Sequence, residues 1–195
     1  MKFDFVHDTQ RLFRKILTAT SFPGRVVDLG PEAGKIETGA AVNNALLGCA
    51  IALLDAEATF CAWPREAREH ERLISQLTYG RSVAPEDAEF QFVLADGGSA
   101  SDALRGAFIG TLEEPHRGAT LFLEVEELRI EGPLLMEGPG IKGVTRIGVE
   151  GLDATWLAAR AERCAEYPLG LDLYLVDHAG RLVGIPRTTR LRSGG

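Results

Sequence analysis

The sequence predicts a single α/β domain over residues 1–195, with a mixed sheet covered by helices on both faces. Its length of 195 residues is typical of one domain. The hydrophobic fraction of 45% and the charged fraction of 25% are those of a globular protein. Helical patterns alternate with short apolar segments until two consecutive strand patterns end the chain, which predicts parallel pairing followed by an antiparallel pair.

The first half of the chain begins with a helix. Asp8 is expected to cap it, and Pro23-Gly24 follows its end near Ser21. Its inner face is predicted to hold Leu12, Phe13, Ile16, Leu17 and Thr20. The later elements are predicted as a strand at 25–29, a helix at 38–57, a strand at 58–63, a charged helix from Arg65 to Thr78 that ends near Gly80, and a strand at 90–95.

The second half continues the alternation. A helix is predicted at 99–108 and a strand at 119–128, in which Glu124 and Glu126 point away from the core. A turn at Gly138-Pro139-Gly140 leads through a further strand to a helix capped near Asp153 and stopped by Pro168. Its inner face is predicted to hold Leu157, Ala161 and Cys164. Strands at 170–176 and 181–185 form the closing hairpin.

Composition argues against several classes of function. The net charge is −7 and the 21 basic residues are scattered, so nucleic acid is not an expected partner. The first residues lack the apolar run of a signal peptide, and no apolar stretch is long enough for a membrane span, so a cytoplasmic protein is expected. Three cysteines without CxxC spacing and four separated histidines predict no metal site.

Two local motifs are candidates for chemistry. The glycine turn could surround an anion with backbone amides, but it lacks the P-loop pattern and is better explained as a turn. Lys142 is the only lysine in the last three-quarters of the chain, which makes it the natural candidate for a Schiff base. Its position in a loop between glycines gives no sign of a depressed pKa, and no pyridoxal phosphate is expected.

The C-terminal tail is the more unusual motif. In the segment 185–190 (IPRTTR), a proline interrupts an apolar strand, and two hydroxyls, those of Thr188 and Thr189, and two guanidiniums follow at once. Two interpretations stay open: Arg187 contacts a phosphate or a partner's carboxylate, or it caps carbonyls and pairs with an acidic neighbour such as Asp172. Asp172 itself either faces solvent or is buried beside a cation.

Three ordered blocks resemble the PhnH family, a subunit of the bacterial system that cleaves the carbon-phosphorus bond of phosphonates. They are 13–24 (FRKILTATSFPG), 118–123 (GATLFL) and 167–173 (YPLGLDL) continuing to 185–189 (IPRTT). Arg14 lies in the first block and joins the candidate polar contacts. The positions Pro23, Gly24, Gly138, Gly140, Pro168, Gly170 and Pro186 are expected to be structural.

The resemblance implies a fold related to the large domain of pyridoxal-phosphate-dependent transferases, without the cofactor. It also implies a homodimer that joins G, I and J subunits in a core complex, which couples an alkylphosphonate to the ribose of a nucleoside triphosphate. Because the residues reveal no complete catalytic set, the first hypothesis is a helper subunit without its own active site. The alternative is a stand-alone phosphate-binding transferase with a site at the C-terminal hairpin.

Overall fold

A computed structural model describes residues 2–40, 42–64, 67–95 and 99–194. Their order is α1 His7–Ser21, β1 Val27–Asp28, α2 Gly30–Ala33, α3 Asn44–Leu53, β2 Thr59–Trp63, α4 Arg68–Thr78, β3 Arg81–Ser82, β4 Phe90–Val93, α5 Ala100–Gly106, β5 Thr120–Val125, β6 Glu127–Glu137, β7 Thr145–Glu150, α6 Trp156–Arg163, β8 Asp172–Asp177, β9 Arg181–Ile185 and β10 Arg190–Ser193. No helix in these ranges has the length and apolar character to cross a bilayer.

The main sheet is mixed, as predicted. Its seven strands run in the order β1-β9-β8-β5-β4-β2-β3. The neighbours from β8 to β3 pair in parallel, whereas β9 pairs antiparallel with both β8 and β1. The predicted closing hairpin is therefore confirmed, and it adds an antiparallel edge to a parallel sheet.

Two apolar cores flank this sheet. One contains side chains of α1 to α4 together with one face of the strands, including Phe122 and Tyr174. The other contains α5, α6 and the opposite face, including Leu123 and Leu175. Successive residues of one strand enter different cores because side chains alternate in a β-strand. This arrangement confirms helices on both faces of the sheet.

An aromatic ladder crosses the parallel strands on the side of α1 to α4. The rings of Phe92 and Phe122 stack with centroids 5.3 Å apart, and those of Phe122 and Tyr174 stack at 4.7 Å. Phe60 meets Phe92 edge to face at 6.2 Å. The Tyr174 hydroxyl is hydrogen-bonded to Thr20 of α1. Helix α1 is thereby fixed to the centre of the sheet.

A second, antiparallel sheet was only partly predicted. It has the order β10-β6-β7, and β6 pairs with both neighbours. The predicted strand at 119–128 is in fact two strands, β5 and the start of β6, which belong to different sheets. A shift of register between Arg129 and Leu134 interrupts the β6–β7 pairing. Apolar and polar residues therefore do not alternate regularly along β6, and the strand cannot be recognised from its sequence pattern.

The prediction that Glu124 faces away from the core is wrong. Its side chain is only 8% exposed. Strand β5 lies between β4 and β8 in the middle of the sheet, and both of its faces are covered. Glu124 and Phe122 are therefore both buried, on the opposite face from Leu123.

The helices lie where they were predicted, but their caps and buried residues differ from the prediction. Asp8 lies inside the first turn of α1, and Asp4 instead accepts the backbone N–H groups of Val6 and His7. The residues buried on α1 are Asp8, Leu12, Ile16 and Ala19. Phe13 and Leu17, predicted to be inside, are 41% and 48% exposed. The buried stripe is thus narrower than predicted, because α1 lies on the sheet along one face only.

Some predicted helix boundaries also change. Helix α3 begins at Asn44 rather than near Thr38, because the Asn43 side chain caps it by accepting from Ala45 and Leu46 N–H. Helix α4 ends at Thr78, as predicted, and Tyr79 follows it in a left-handed conformation; its predicted start at Arg65 lies outside the described residues.

Helix α6 ends at Arg163, before Pro168, so Pro168 does not stop it. Its buried residues are Trp156, Ala159 and Arg160, whereas the predicted Ala161 is exposed and Leu157 and Cys164 are half-buried. The inner face of α6 is therefore rotated by about one residue from the prediction.

Candidate functional site

The predicted polar tail lines a cleft of about 560 Å³ between α6 and the segment that follows β9. One wall is formed by Arg160 and Cys164, and the other by Arg187, Thr188 and Thr189. The strand pairing of β8 and β9 places Leu173 opposite Ile185, so Asp172 and Arg187 meet at the same end of the hairpin. The structure therefore brings together four of the five predicted polar residues.

Arg187 is held by its own chain. Its Nη2 and Nε atoms lie 2.6 and 3.1 Å from Asp172 Oδ2, and its backbone N–H donates to Asp172 Oδ1 at 2.8 Å. Nη1 donates to the carbonyl of Pro115 at 2.6 Å, and Nη2 also approaches the carbonyl of Gly118 at 3.4 Å. This ion pair, in which two guanidinium nitrogens share one carboxylate oxygen, leaves only 15% of the arginine side chain exposed, and the two carbonyl contacts fix the hairpin to the 115–118 segment.

Two other polar side chains of the cleft are less well satisfied. Arg160 is 3% exposed; its Nη2 donates to the Pro186 carbonyl at 2.8 Å, but its buried Nε has no hydrogen-bond partner. Thr189 is 2% exposed, and its Oγ1 has no partner either. Burial lowers the pKa of the Arg160 guanidinium, opposed by Cys164 and Asp172. Arginine stays protonated because its ordinary pKa is so high.

Arg14 and Lys142 lie away from this cleft. Arg14 is exposed on α1, and neither residue is part of the cleft's described lining. Lys142 is exposed on the turn between β6 and β7. Sequence analysis missed Arg160, because nothing in the helical pattern of α6 distinguishes a buried arginine from a solvated one.

A larger groove, of about 760 Å³, lies at the carboxyl ends of the parallel strands. It is lined by residues at the ends of β2, β4, β5 and β8 and by the first turn of α3. Open α/β sheets commonly bind ligands at this edge. Its described lining does not include Lys142.

An acid–imidazole pair marks this groove. Glu124 Oε1 lies 3.4 Å from His178 Nδ1, and Glu124 Oε2 accepts the Ala95 N–H at 3.0 Å. Glu124 is buried, whereas the His178 side chain is 58% exposed. Histidine beside a buried carboxylate is suited to proton transfer or to hydrogen bonding with a ligand. Glu124 is the penultimate residue of β5 and His178 directly follows β8, and this position at the carboxyl end of a parallel strand is the sequence signal that would have indicated them.

Within the described ranges, no three His, Cys, Asp or Glu side chains gather as a metal site would require. Cys49 and Cys61 are buried and Cys164 is half-buried. Burial alone raises the pKa of the Cys49 thiol, which makes that sulfur a poor nucleophile.

Comparison with known proteins identifies the family. Residues 2–192 match the family described as bacterial phosphonate metabolism protein (PhnH). The chain belongs to the PhnH family. A putative C-P lyase subunit protein HtxG from Stutzerimonas stutzeri is 38% identical over 187 residues, which cover 95% of this chain and 87% of that protein. The alpha-D-ribose 1-methylphosphonate 5-triphosphate synthase subunit PhnH from Rhizobium meliloti (strain 1021) is 30% identical over 192 residues, which cover 96% of this chain and 92% of that protein.

The blocks that carry the resemblance to the PhnH family meet in space. Gly140 has a φ of +81°, and a Cβ added there would lie 2.8 Å from Pro23 Cδ. Gly138 has a φ of +150°, and a Cβ there would lie 3.0 Å from the Thr188 carbonyl. Gly24 N–H donates to Gly184 O at 3.3 Å. The first block, the glycine turn and the C-terminal block therefore form one contiguous packing unit.

Proposed function

We propose that this chain is a subunit of a ribose 1-alkylphosphonate 5-triphosphate synthase complex in phosphonate catabolism, where it supports the reaction of ATP with an alkylphosphonate without a complete active site of its own. One observation carries the proposal: the chain is similar over almost its whole length to a subunit of that synthase, at 30% identity over 192 residues. The chemical step is then assigned to partner subunits.

The state of the predicted polar residues supports a helper role. The Arg187 guanidinium is engaged by Asp172 and by two backbone carbonyls, which leaves it a structural clamp. Lys142 is exposed on a turn, outside the described lining of both the cleft and the groove. The positions of these two side chains favour a chain that contributes binding surfaces to other subunits.

The proposed partners are a second copy of the chain and the G, I and J subunits of the carbon-phosphorus lyase core complex. The outer face of α1 supports a protein partner, because Phe13 and Leu17 stand one helical turn apart and are 41% and 48% exposed. Val6 and Phe22, at the two ends of α1, are 73% and 52% exposed. An apolar stripe of this kind is typical of a surface covered in an assembly.

The fold relationship to pyridoxal-phosphate-dependent transferases, the lack of that cofactor and a cytoplasmic location belong to the same proposal. The groove at the carboxyl ends of the parallel strands is compatible with the relationship, because an ancestral ligand site would be expected there. Glu124 and His178 line this groove, and no lysine lies among the described residues of its lining. Shared architecture alone does not transfer a function.

A reconstitution experiment tests the helper role. The purified chain, the G and I partners, and the mixture of all three are each incubated with ATP and methylphosphonate, and ³¹P NMR follows the ribose-linked phosphonate. Only the full mixture is expected to form product. Turnover by the chain alone would contradict the helper role and favour the stand-alone transferase. Equal product formation with and without the chain would contradict the proposal altogether.

A further inference from the structure

We propose that the cleft between α6 and the C-terminal tail, built around Arg160 and Thr189, binds a phosphoryl or phosphonyl oxyanion of a small molecule. The site itself rests on the geometry of the cleft. The choice of phosphoryl or phosphonyl ligands rests on the proposed function.

The first reason is that two side chains of the cleft wall each have a buried polar atom without a hydrogen-bond partner. Arg160 Nη2 and the Thr189 N–H both donate to the Pro186 carbonyl, at 2.8 and 2.9 Å. This shared acceptor joins the two residues whose side chains have the unpartnered atoms, Arg160 Nε and Thr189 Oγ1. A buried donor left without a partner costs the full penalty of its desolvation, and more when it is charged. An anion oxygen would relieve that penalty.

The second reason is the charge of the cleft. Four arginines contribute to its lining: Arg160, Arg187, Arg190 and Arg192. No aspartate or glutamate lies among the lining residues that the structure describes. The whole chain, by contrast, carries a net charge of −7. A local excess of guanidinium groups in an acidic protein concentrates anions at this point on its surface.

Two of these charges are already compensated. Arg187 pairs with Asp172, and Arg192 Nη2 lies 3.3 Å from Glu137. In the described part of the chain, neither Arg160 nor Arg190 makes an ion pair within 4 Å. Arg160 at the base and Arg190 at the exposed rim therefore supply the free positive charge. The Thr188 and Thr189 hydroxyls add groups that donate to phosphate oxygens.

The shape of the cleft fits a small ligand. Its volume of about 560 Å³ lies within the range of small-molecule sites. The Arg187–Asp172 clamp holds the tail in place beside it, so the site is preorganised by an interaction that does not involve the ligand. Arg187 is accordingly a positioning residue, while Arg160, Thr189 and Arg190 touch the anion.

Calorimetric titration of the purified full-length chain with inorganic tripolyphosphate at low salt tests the site, with methylphosphonate as competitor. Saturable binding at one site is expected. Arg160→Gln should weaken it at least about tenfold, the loss expected for one charge-assisted hydrogen bond. Arg72→Gln is the matched control, because Arg72 is exposed on α4 and lies outside the cleft lining. It should leave the affinity unchanged.

Thr189→Val keeps the side-chain shape and removes only the hydroxyl, so it tests the site even if Arg160→Gln fails to fold. The double variant Thr189→Val, Arg190→Gln also removes the charge at the rim and should weaken binding further. No binding by the wild-type chain at millimolar tripolyphosphate would overturn the proposal. Equal weakening by Arg72→Gln and the cleft variants would also overturn it, since that result indicates a general charge effect.

The reconstituted complex separates this proposal from the proposed function. Variants that lose binding as isolated chains but support normal product formation would uphold the anion site and detach it from the synthase reaction. Variants that bind normally would overturn the site and leave the proposed function standing.

Discussion

Replacing Gly170 by valine tests whether the Pro168-Leu169-Gly170 segment is structural. Gly170 has a φ of +146°, a conformation that β-branched residues rarely adopt. A Cβ added there would lie 3.1 Å from both Arg187 Cβ and Cys164 Sγ. The substitution therefore strains the backbone and overfills the space between α6 and the arginine clamp.

The expected loss can be divided into these two parts. Backbone strain at such a position costs about 1–3 kcal/mol. Overpacking a filled interior costs about 1–3 kcal/mol more. A total of about 4 kcal/mol lowers the melting temperature of a chain of this size by roughly 10 °C. Thermal unfolding followed by circular dichroism measures this shift.

Gly143→Val provides the matched control. Gly143 also has a positive φ, of +76°, but a Cβ added there meets no atom within 4 Å. It should show the strain alone, so the difference between the two variants measures the clash with Arg187 and Cys164. If Gly170→Val kept the wild-type melting temperature while the complex lost activity, Gly170 would have a functional role and the structural assignment would be wrong.

Three further predictions concern other parts of the chain. Hydrogen bonding to Lys35 is the main cause of the lowered pKa of Asp8. The ionised Asp8 side chain therefore stabilises the fold above pH 3.8, and this stabilisation is lost as the pH falls below that value. Asp8→Asn should lower the urea midpoint at pH 7, with a smaller difference at pH 3. Light scattering should give a dimer that Phe13→Asp with Leu17→Asp converts to a monomer, and a wild-type monomer would contradict this. Addition of pyridoxal phosphate should give no stable aldimine absorbance, and a band lost in Lys142→Ala would refute that prediction.

The order of elements was largely predictable because local patterns determine it. The hairpin of β8 and β9 is confirmed where apolar alternation meets a tight turn. Ser99 caps α5 as its position before an apolar segment suggests, accepting the Asp102 N–H at 3.2 Å. Strand β6 was missed beyond residue 128, because charged residues, Gly132 and a register shift remove its alternation.

Burial could not be predicted where it depends on neighbours distant in sequence. Glu124 has the alternation of a half-exposed strand, but β4 and β8 make its strand central and helices cover both faces. Phe13 has the spacing of a core residue, but α1 contacts the sheet through the narrower stripe of Leu12, Ile16 and Ala19. Sequence periodicity gives the angle of a side chain around its element, and tertiary packing decides which angles are covered.

The C-terminal site shows the same division between local signal and tertiary context. The tail motif predicted a polar cluster with Arg187 as its most conspicuous member, and Arg187, Thr188 and Thr189 line one cleft in the structure. Arg187 nevertheless has a carboxylate and two carbonyls within its own chain, so removal of its side chain would leave Asp172 half-buried without its cation. Arg160 lies on another element, 26 residues from the Pro186 carbonyl that it contacts, and retains an unpartnered donor. Arg187, the most conspicuous residue of the motif, therefore holds the cleft in shape, whereas the unpaired charge comes from Arg190 at the rim and from Arg160 on α6, whose helical pattern does not mark it as buried.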